Sequence, residues 1–178
     1  GVAASDNTTY NLAAAEDWVV GADPAVTVAD LTGNAITANN VYATIAVVNT
    51  NDNGAGSLRQ AIADASSGDS IDLSGISGTI TLTTGELVIN KNLTINGPTA
   101  NSLVISGNSS SRVVNISAGT VTISYVTISN GSVVGNGAGI SNSGTLFIDH
   151  STISNNVISG ANGGGVYNNG GSVTMSNC

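Results

Sequence analysis

Gly119-Thr-Val-Thr-Ile-Ser-Tyr-Val-Thr-Ile-Ser-Asn130 returns as Gly144-Thr-Leu-Phe-Ile-Asp-His-Ser-Thr-Ile-Ser-Asn155 and again, in part, as Gly171-Ser-Val-Thr-Met-Ser-Asn-Cys178. The opening glycines of the three copies lie 25 and 27 residues apart. Between them Gly137-Ala-Gly-Ile-Ser-Asn-Ser-Gly144 is echoed 26 residues later by Gly163-Gly-Gly-Val-Tyr-Asn-Asn-Gly170. An earlier copy, Gly85-Glu-Leu-Val-Ile-Asn-Lys-Asn-Leu-Thr-Ile-Asn-Gly97, lies over the first segment with one extra residue.

Apolar residues alternate within each copy: Val121 and Ile123, then Val126 and Ile128; Leu146 and Ile148, then Ile153. That alternation places one file of aliphatic side chains on one face of each short strand and Thr and Ser on the other. A unit of about 25 residues cannot bury such a face alone, so the copies must stack, each strand pairing in parallel with its equivalent about 4.8 Å away. The expected fold is all-β, a parallel β-helix (β-solenoid). Gly137, Gly139, Gly163, Gly164 and Gly165 are expected at its corners, where positive φ or close backbone approach is needed.

Upstream, Ser57-Leu-Arg-Gln-Ala-Ile-Ala-Asp-Ala65 reads as a helix opened by a capping box, Ser57 with Gln60 three residues on. Leu58, Ala61, Ile62 and Ala65 form one apolar stripe at helical spacing. A stacked solenoid exposes an apolar rung and unpaired strand groups at its open end, and this helix is suited to cover them.

Val48-Asn-Thr-Asn-Asp-Asn-Gly-Ala-Gly-Ser-Leu-Arg-Gln-Ala-Ile62, followed by Gly68-Asp-Ser-Ile-Asp-Leu73 and glycine-rich rungs, resembles bacterial surface and secreted proteins with a Ser-Leu-Arg-Glu-Ala-Ile type N-terminal cap. These are right-handed parallel β-helix proteins related to polymorphic outer-membrane proteins and haemagglutinin-type adhesins. The resemblance covers roughly residues 47 to 178. It implies a right-handed β-helix with an N-terminal cap, and for function it is unspecific, because such folds host adhesins, stalks and polysaccharide enzymes alike.

The expected organisation is therefore an N-terminal β extension over 1–46 and a capped β-helix over 47–178, with the cap helix at 57–65 and rungs from about 70 to 178. Within and beside the extension, Ala25-Val-Thr-Val-Ala and Val41-Tyr-Ala-Thr-Ile-Ala-Val-Val48 alternate like strands, and a short turn is expected near Ala13 to Trp18.

Only 8% of the 178 residues are charged and 3% aromatic, while 40% are hydrophobic. The balance is enough for a core but unlike that of most enzymes. Lys91, Arg59 and Arg112 face eleven acids, for a net charge of -8, so nucleic acid and anionic membrane surfaces are not expected partners. The lone Cys178 provides neither a disulfide framework nor a thiolate metal cluster.

Polysaccharide lyases and hydrolases on this fold need clustered carboxylates or calcium with a basic residue nearby. From Val113 to Cys178 the ionisable side chains apart from Tyr125, Tyr167 and Cys178 are Asp149 and His150 alone. These two are expected at a solvated corner between strands. Glu86, Lys91 and Arg112 look isolated. Asp52, Asp64, Asp69 and Asp72 surround the cap but lack calcium-loop spacing, and are expected to serve turns. Thr94, Thr127 and Thr152 would share one outward position, a file interrupted by Phe147, which argues for strand propensity and against an ice-binding face. No catalytic, cofactor or metal residue is expected.

The functional expectation is a non-enzymatic, extracellular, structural or adhesive protein of the bacterial surface. A carbohydrate-binding adhesin, or a polysaccharide lyase or hydrolase whose active residues lie elsewhere, is the alternative. Self-association through strand edges is a further expectation, because the sequence stops at Cys178 partway through a unit; residues 25 to 48 would be the element that pairs with a neighbouring copy.

Overall fold

The computed structural model describes residues 27–29, 35–37, 42–99 and 102–178, and the chain divides into two units, Gly1–Val41 and Tyr42–Cys178. In the first, β1 (Thr27–Ala29) and β2 (Ala35–Thr37) pair antiparallel with Val28 opposite Ile36. The turn expected near Ala13 to Trp18 lies outside the described residues.

The second unit is a β-solenoid. It opens with β3 (Thr44–Ala46) and the helix α1 (Leu58–Asp64). Two turns of three strands follow: β4 (Ser70–Asp72), β5 (Gly78–Thr81) and β6 (Leu87–Ile89), then β7 (Leu93–Asn96), β8 (Leu103–Ser106) and β9 (Val114–Ile116). The next turn adds a fourth strand, as β10 (Thr120–Ser124), β11 (Thr127–Ser129), β12 (Ser132–Val134) and β13 (Ile140–Asn142). It is repeated by β14 (Thr145–Asp149), β15 (Thr152–Ser154), β16 (Val157–Ser159) and β17 (Val166–Asn168), and β18 (Ser172–Ser176) follows.

The longest sheet runs β18-β14-β10-β7-β4-β3, the second β15-β11-β8-β5, the third β17-β13-β9-β6, and β12 pairs with β16 in a small fourth sheet. Every one of these pairs is parallel. Register stacks like on like: Ile45, Ile71, Ile95, Ile123 and Ile148 form one file, which ends on Met175. Ile80, Ile105, Ile128 and Ile153 form another. Most of both files are buried in a single apolar cluster, and that aliphatic stacking is the main stabilising term.

In the third sheet the inner file changes chemistry. Ile89 and Ile116 give way to Asn142 and Asn168 at the same register. Asn142 is fully buried; its Nδ2 donates to Gly144 O, Asn168 Oδ1 and Ser172 O, and its Oδ1 accepts from Gly144 N–H. An amide is tolerated inside because all its polar atoms are matched.

The expected register of Gly119, Gly144 and Gly171 holds, since Thr120, Thr145 and Ser172 are cross-strand partners. Gly137 and Gly163, with φ of 68° and 70°, sit at equivalent corners in the left-handed region that suits glycine. The earlier copy stacks differently from expectation: Leu93 lies on Val121 and Leu87 on Val114. Consequently Thr94 pairs with Thr122, while Thr127 pairs with Thr152 in a different sheet and is itself buried. Strand triplets such as Leu-Val-Ile, Leu-Thr-Ile and Val-Thr-Ile carry the same alternation, so apolar pattern alone does not say which face of the solenoid a triplet joins.

The cap also differs in detail. Ser57 Oγ accepts from Gln60 N–H at 3.2 Å, but the Gln60 amide reaches forward to Asp64 Oδ1 at 2.7 Å, and Ser57 N–H is taken by Gly54 O. Half of the expected capping box forms. Leu58, Ala61, Ile62 and Ala65 are buried in the common core, as the apolar stripe requires. Because α1 lies between β3 and β4 in the chain, the second and third sheets begin one turn later, at β5 and β6. Arg59 Nη1 donates to Glu86 O at 2.8 Å and Nη2 to Gly85 O at 2.6 Å, and Lys91 Nζ donates to Ile62 O and Ala65 O at 3.1 and 2.6 Å. These bonds fasten the helix beside β6.

β3 belongs to the solenoid by its pairing with β4, so the unit starts at Tyr42 and not at 47. Residues 44–46 are the edge strand of the longest sheet, paired on one side with β4.

Candidate functional site

The three cations serve the scaffold. Arg59 pairs with Asp52 at 2.7 Å in addition to its helix bonds, and Lys91 holds the end of α1. Arg112 and Glu86, which look isolated in sequence, meet across one turn at 2.6 Å; Arg112 also donates to Asn136 O and Gly137 O, and Asn115 Nδ2 donates to the other Glu86 oxygen. This network forms one wall of a cleft of about 460 Å³ that is otherwise lined by Ser109 to Ser111 and by residues of β12 and β16. Its two charges satisfy each other.

The acids around the cap each have their own partners. Asp52 takes Arg59 on one oxygen and the N–H and O–H groups of Thr83 and Thr84 on the other. Asp69 takes Ala43 N–H and Ser66 N–H, Asp72 takes Ser74 N–H, and Asp64 takes Gln60. Burial pushes the Asp52 carboxyl up, but the bonds from Thr84, Arg59 and Thr83 outweigh it and hold the group well below the usual carboxylate range. Among the described residues no three of His, Cys, Asp and Glu converge as metal ligands would.

What remains is the corner after the longest sheet, where the chain turns from β10 to β11 and from β14 to β15. Tyr125 and His150 stand one above the other there, both with positive φ, 59° and 45°. Their rings stack at a centroid distance of 4.9 Å and an interplanar angle of 18°. His150 Nδ1 lies 2.7 Å from Asp149 Oδ2, and Asp149 Oδ1 accepts from Ser176 Oγ at 2.8 Å and Asn177 Nδ2 at 3.0 Å. The bond to His150 first, then those to Asn177 and Ser176, lower the Asp149 pKa to about 2, so the group is an anion at neutral pH. Phe147, two residues earlier on the outward side of β14, is 41% exposed.

Comparison with protein-family models, curated proteins and solved structures finds no match.

Asp149 and His150 thus occupy the corner expected of them, but the ring partner was not foreseen. Tyr125 aligns with His150 in the repeat, and that alignment was the available signal: a tyrosine above a histidine at a corner register in a chain with so few aromatic residues. As placed, the corner offers an oriented imidazole, a phenol and a carboxylate. Ser176 Oγ donates to Asp149, and among the described residues no hydroxyl is hydrogen-bonded to the imidazole.

Proposed function

We propose that this chain is a non-enzymatic extracellular β-helix of the bacterial surface, a rigid stalk or display element with an adhesive corner. The observation that carries the reading is that all three cations, with Asp52 and Asp69, are committed to hydrogen bonds that hold one turn or the cap to the next, while Asp64 and Asp72 serve local bonds. A general acid and base working on a polysaccharide need ionisable groups aimed at substrate, and among the described residues the corner pair Asp149 and His150 sets an exposed carboxylate beside an imidazole. The low charge and the Ser-, Thr- and Asn-rich surface suit an exposed, hydrated element, and the resemblance of the cap to bacterial surface proteins points the same way. The test is turnover of neutral and acidic polysaccharides alongside binding to a glycan array. Binding without turnover supports the reading; sustained release of reducing ends or unsaturated products overturns it.

A further inference from the structure

We infer that the Tyr125–His150–Asp149 corner binds a neutral glycan, a pyranose ring lying on Tyr125 with a hydroxyl donated to His150 Nε2. The inference rests on the adhesive reading above and gives it a site and a ligand class.

The first ground is that Tyr125 is a bulky side chain at a left-handed position that smaller or Asn side chains mostly fill elsewhere. Among the described residues seven non-glycine positions have positive φ, and Asn fills four of them: Asn108, Asn130, Asn155 and Asn177. Asn suits left-handed backbone because its short amide bonds locally. Tyr has no such compensation, and it is not rewarded by burial, being 39% exposed. A local choice that conflicts with the backbone and leaves the ring partly exposed beyond its stack on His150 marks a position held for another purpose.

The second ground is what the pair displays. His150 covers one face of the tyrosine ring. In the preceding turn the same register, one beyond the Ser124–Asn96 pair, holds Gly97, which has no side chain to cover the other. Neither the Tyr125 hydroxyl nor His150 Nε2 has a hydrogen-bond partner among the described residues. Asp149 Oδ2 faces Nδ1, so in the neutral tautomer that carries its proton there Nε2 is an acceptor. A flat apolar face beside an oriented acceptor and a hydroxyl matches a pyranose, whose C–H face is apolar and whose rim is hydroxylated. Phe147 is exposed on the outward side of β14, two residues before Asp149.

The third ground fixes the charge class. Asp149 is an anion, and the chain as a whole carries -8, so uronate- or sialate-bearing chains are repelled from this corner. The ligand is neutral.

The experiment uses the full chain, a printed array of neutral hexose oligosaccharides and their uronate-bearing counterparts, and titration of the best binder. Tyr125→Asn is the decisive variant, because it installs the residue that serves the molecule's other left-handed corners and so keeps the backbone while removing the ring; His150→Asn is its companion. Expected is binding of a neutral oligosaccharide that weakens at least tenfold in Tyr125→Asn, with the melting temperature unchanged or raised. Absence of neutral-glycan binding, preference for the acidic series, or equal affinity in Tyr125→Asn each overturns the inference. The last of these leaves the adhesive reading standing with its site elsewhere, whereas polysaccharide turnover would remove that reading itself.

Discussion

Arg59 Nη2 lies 2.7 Å from Asp52 Oδ1, and this pair joins the loop before the cap helix and the helix itself to a segment 31 residues further on. Asp52 belongs to the loop before α1, Arg59 to α1, and the second Asp52 oxygen is held by the N–H groups of Thr83 and Thr84 beyond β5. The side chain of Asp52 is only 7% exposed, so its charge is stabilising only while these donors remain. Asp52→Asn turns an NH₂ group towards donors, and is expected to lower stability by about 2–4 kcal/mol at neutral pH. The folded-state pKa of Asp52 lies below its ordinary value of 3.8, so the unfolded chain takes up the proton first as pH falls. The stabilisation is therefore complete above about pH 5 and is lost progressively below pH 4. In thermal melts the gap between wild type and Asp52→Asn should be widest at neutral pH and narrow on acidification; a gap independent of pH would show that the charge of Asp52 is not what stabilises.

Asn142 allows a sharper comparison of size against polarity. Its Nδ2 faces three acceptors, so Asn142→Asp, almost identical in shape, would aim a buried carboxylate at carbonyl oxygens. Asn142→Ala instead leaves Gly144 N–H and the three acceptors short of a partner, at about 1–3 kcal/mol. The aspartate variant should be the less stable of the two in urea at pH 7, because an unpaired buried charge costs more than a missing amide. Equal midpoints would mean that water reaches the ladder.

The aliphatic files were legible in the sequence because a two-residue alternation repeated at 25 to 27 residues admits few other folds, and Val121, Ile123, Leu146 and Ile148 are all buried as that pattern requires. The cap stripe was legible for the same reason. What could not be read is which sheet a given triplet joins: Leu93-Thr-Ile and Val126-Thr-Ile differ too little, and the choice is made by corner residues and by backbone bonds such as Gly97 N–H to Ser124 O. The ionic pairs were equally hidden. Glu86 and Arg112 are 26 residues apart and meet because that is one turn of the solenoid, a relation that appears only once the register is known. At the corner, Asp149 and His150 stood out by scarcity, while the stack on Tyr125 depends on a backbone angle.

The cap offers two variants that separate packing from helix-end electrostatics. Ile62 is 5% exposed inside the common core, and Ile62→Lys forces an unpaired ammonium there, a change of at least about 3 kcal/mol that should also promote association by uncovering apolar surface. Lys91→Met keeps the aliphatic stem but removes the ammonium from Ile62 O and Ala65 O, and should cost about 1–2 kcal/mol without association. Sedimentation and thermal melts of the two together test this; association of Lys91→Met to the same degree as Ile62→Lys would assign the capping to the lysine and not to the apolar stripe.

The glycine file at the start of the long strands sets how closely turns approach. A Cβ placed on Gly144 would run into Gly119 O, with Ala118 C at 3.2 Å and Gly119 N at 3.3 Å. Those are backbone atoms of the turn below, and Gly119 O is the acceptor of Thr145 N–H at 2.9 Å. Gly144→Ala can therefore be accommodated only by pushing two turns apart beside the buried amide of Asn142, which bonds Gly144 through both its N–H and its O. Overpacking of this kind costs about 1–3 kcal/mol. Gly75 is the control: it has no positive φ, and a Cβ added there would meet nothing within 4 Å, so Gly75→Ala should be neutral or stabilise by about 0.4–1 kcal/mol through the unfolded chain. Hydrogen exchange adds a local readout, since Gly144→Ala should speed exchange at Thr145 N–H while Gly75→Ala leaves it unchanged. If the two variants melt alike and Thr145 N–H stays protected in both, close approach of the turns is not what requires glycine at 144.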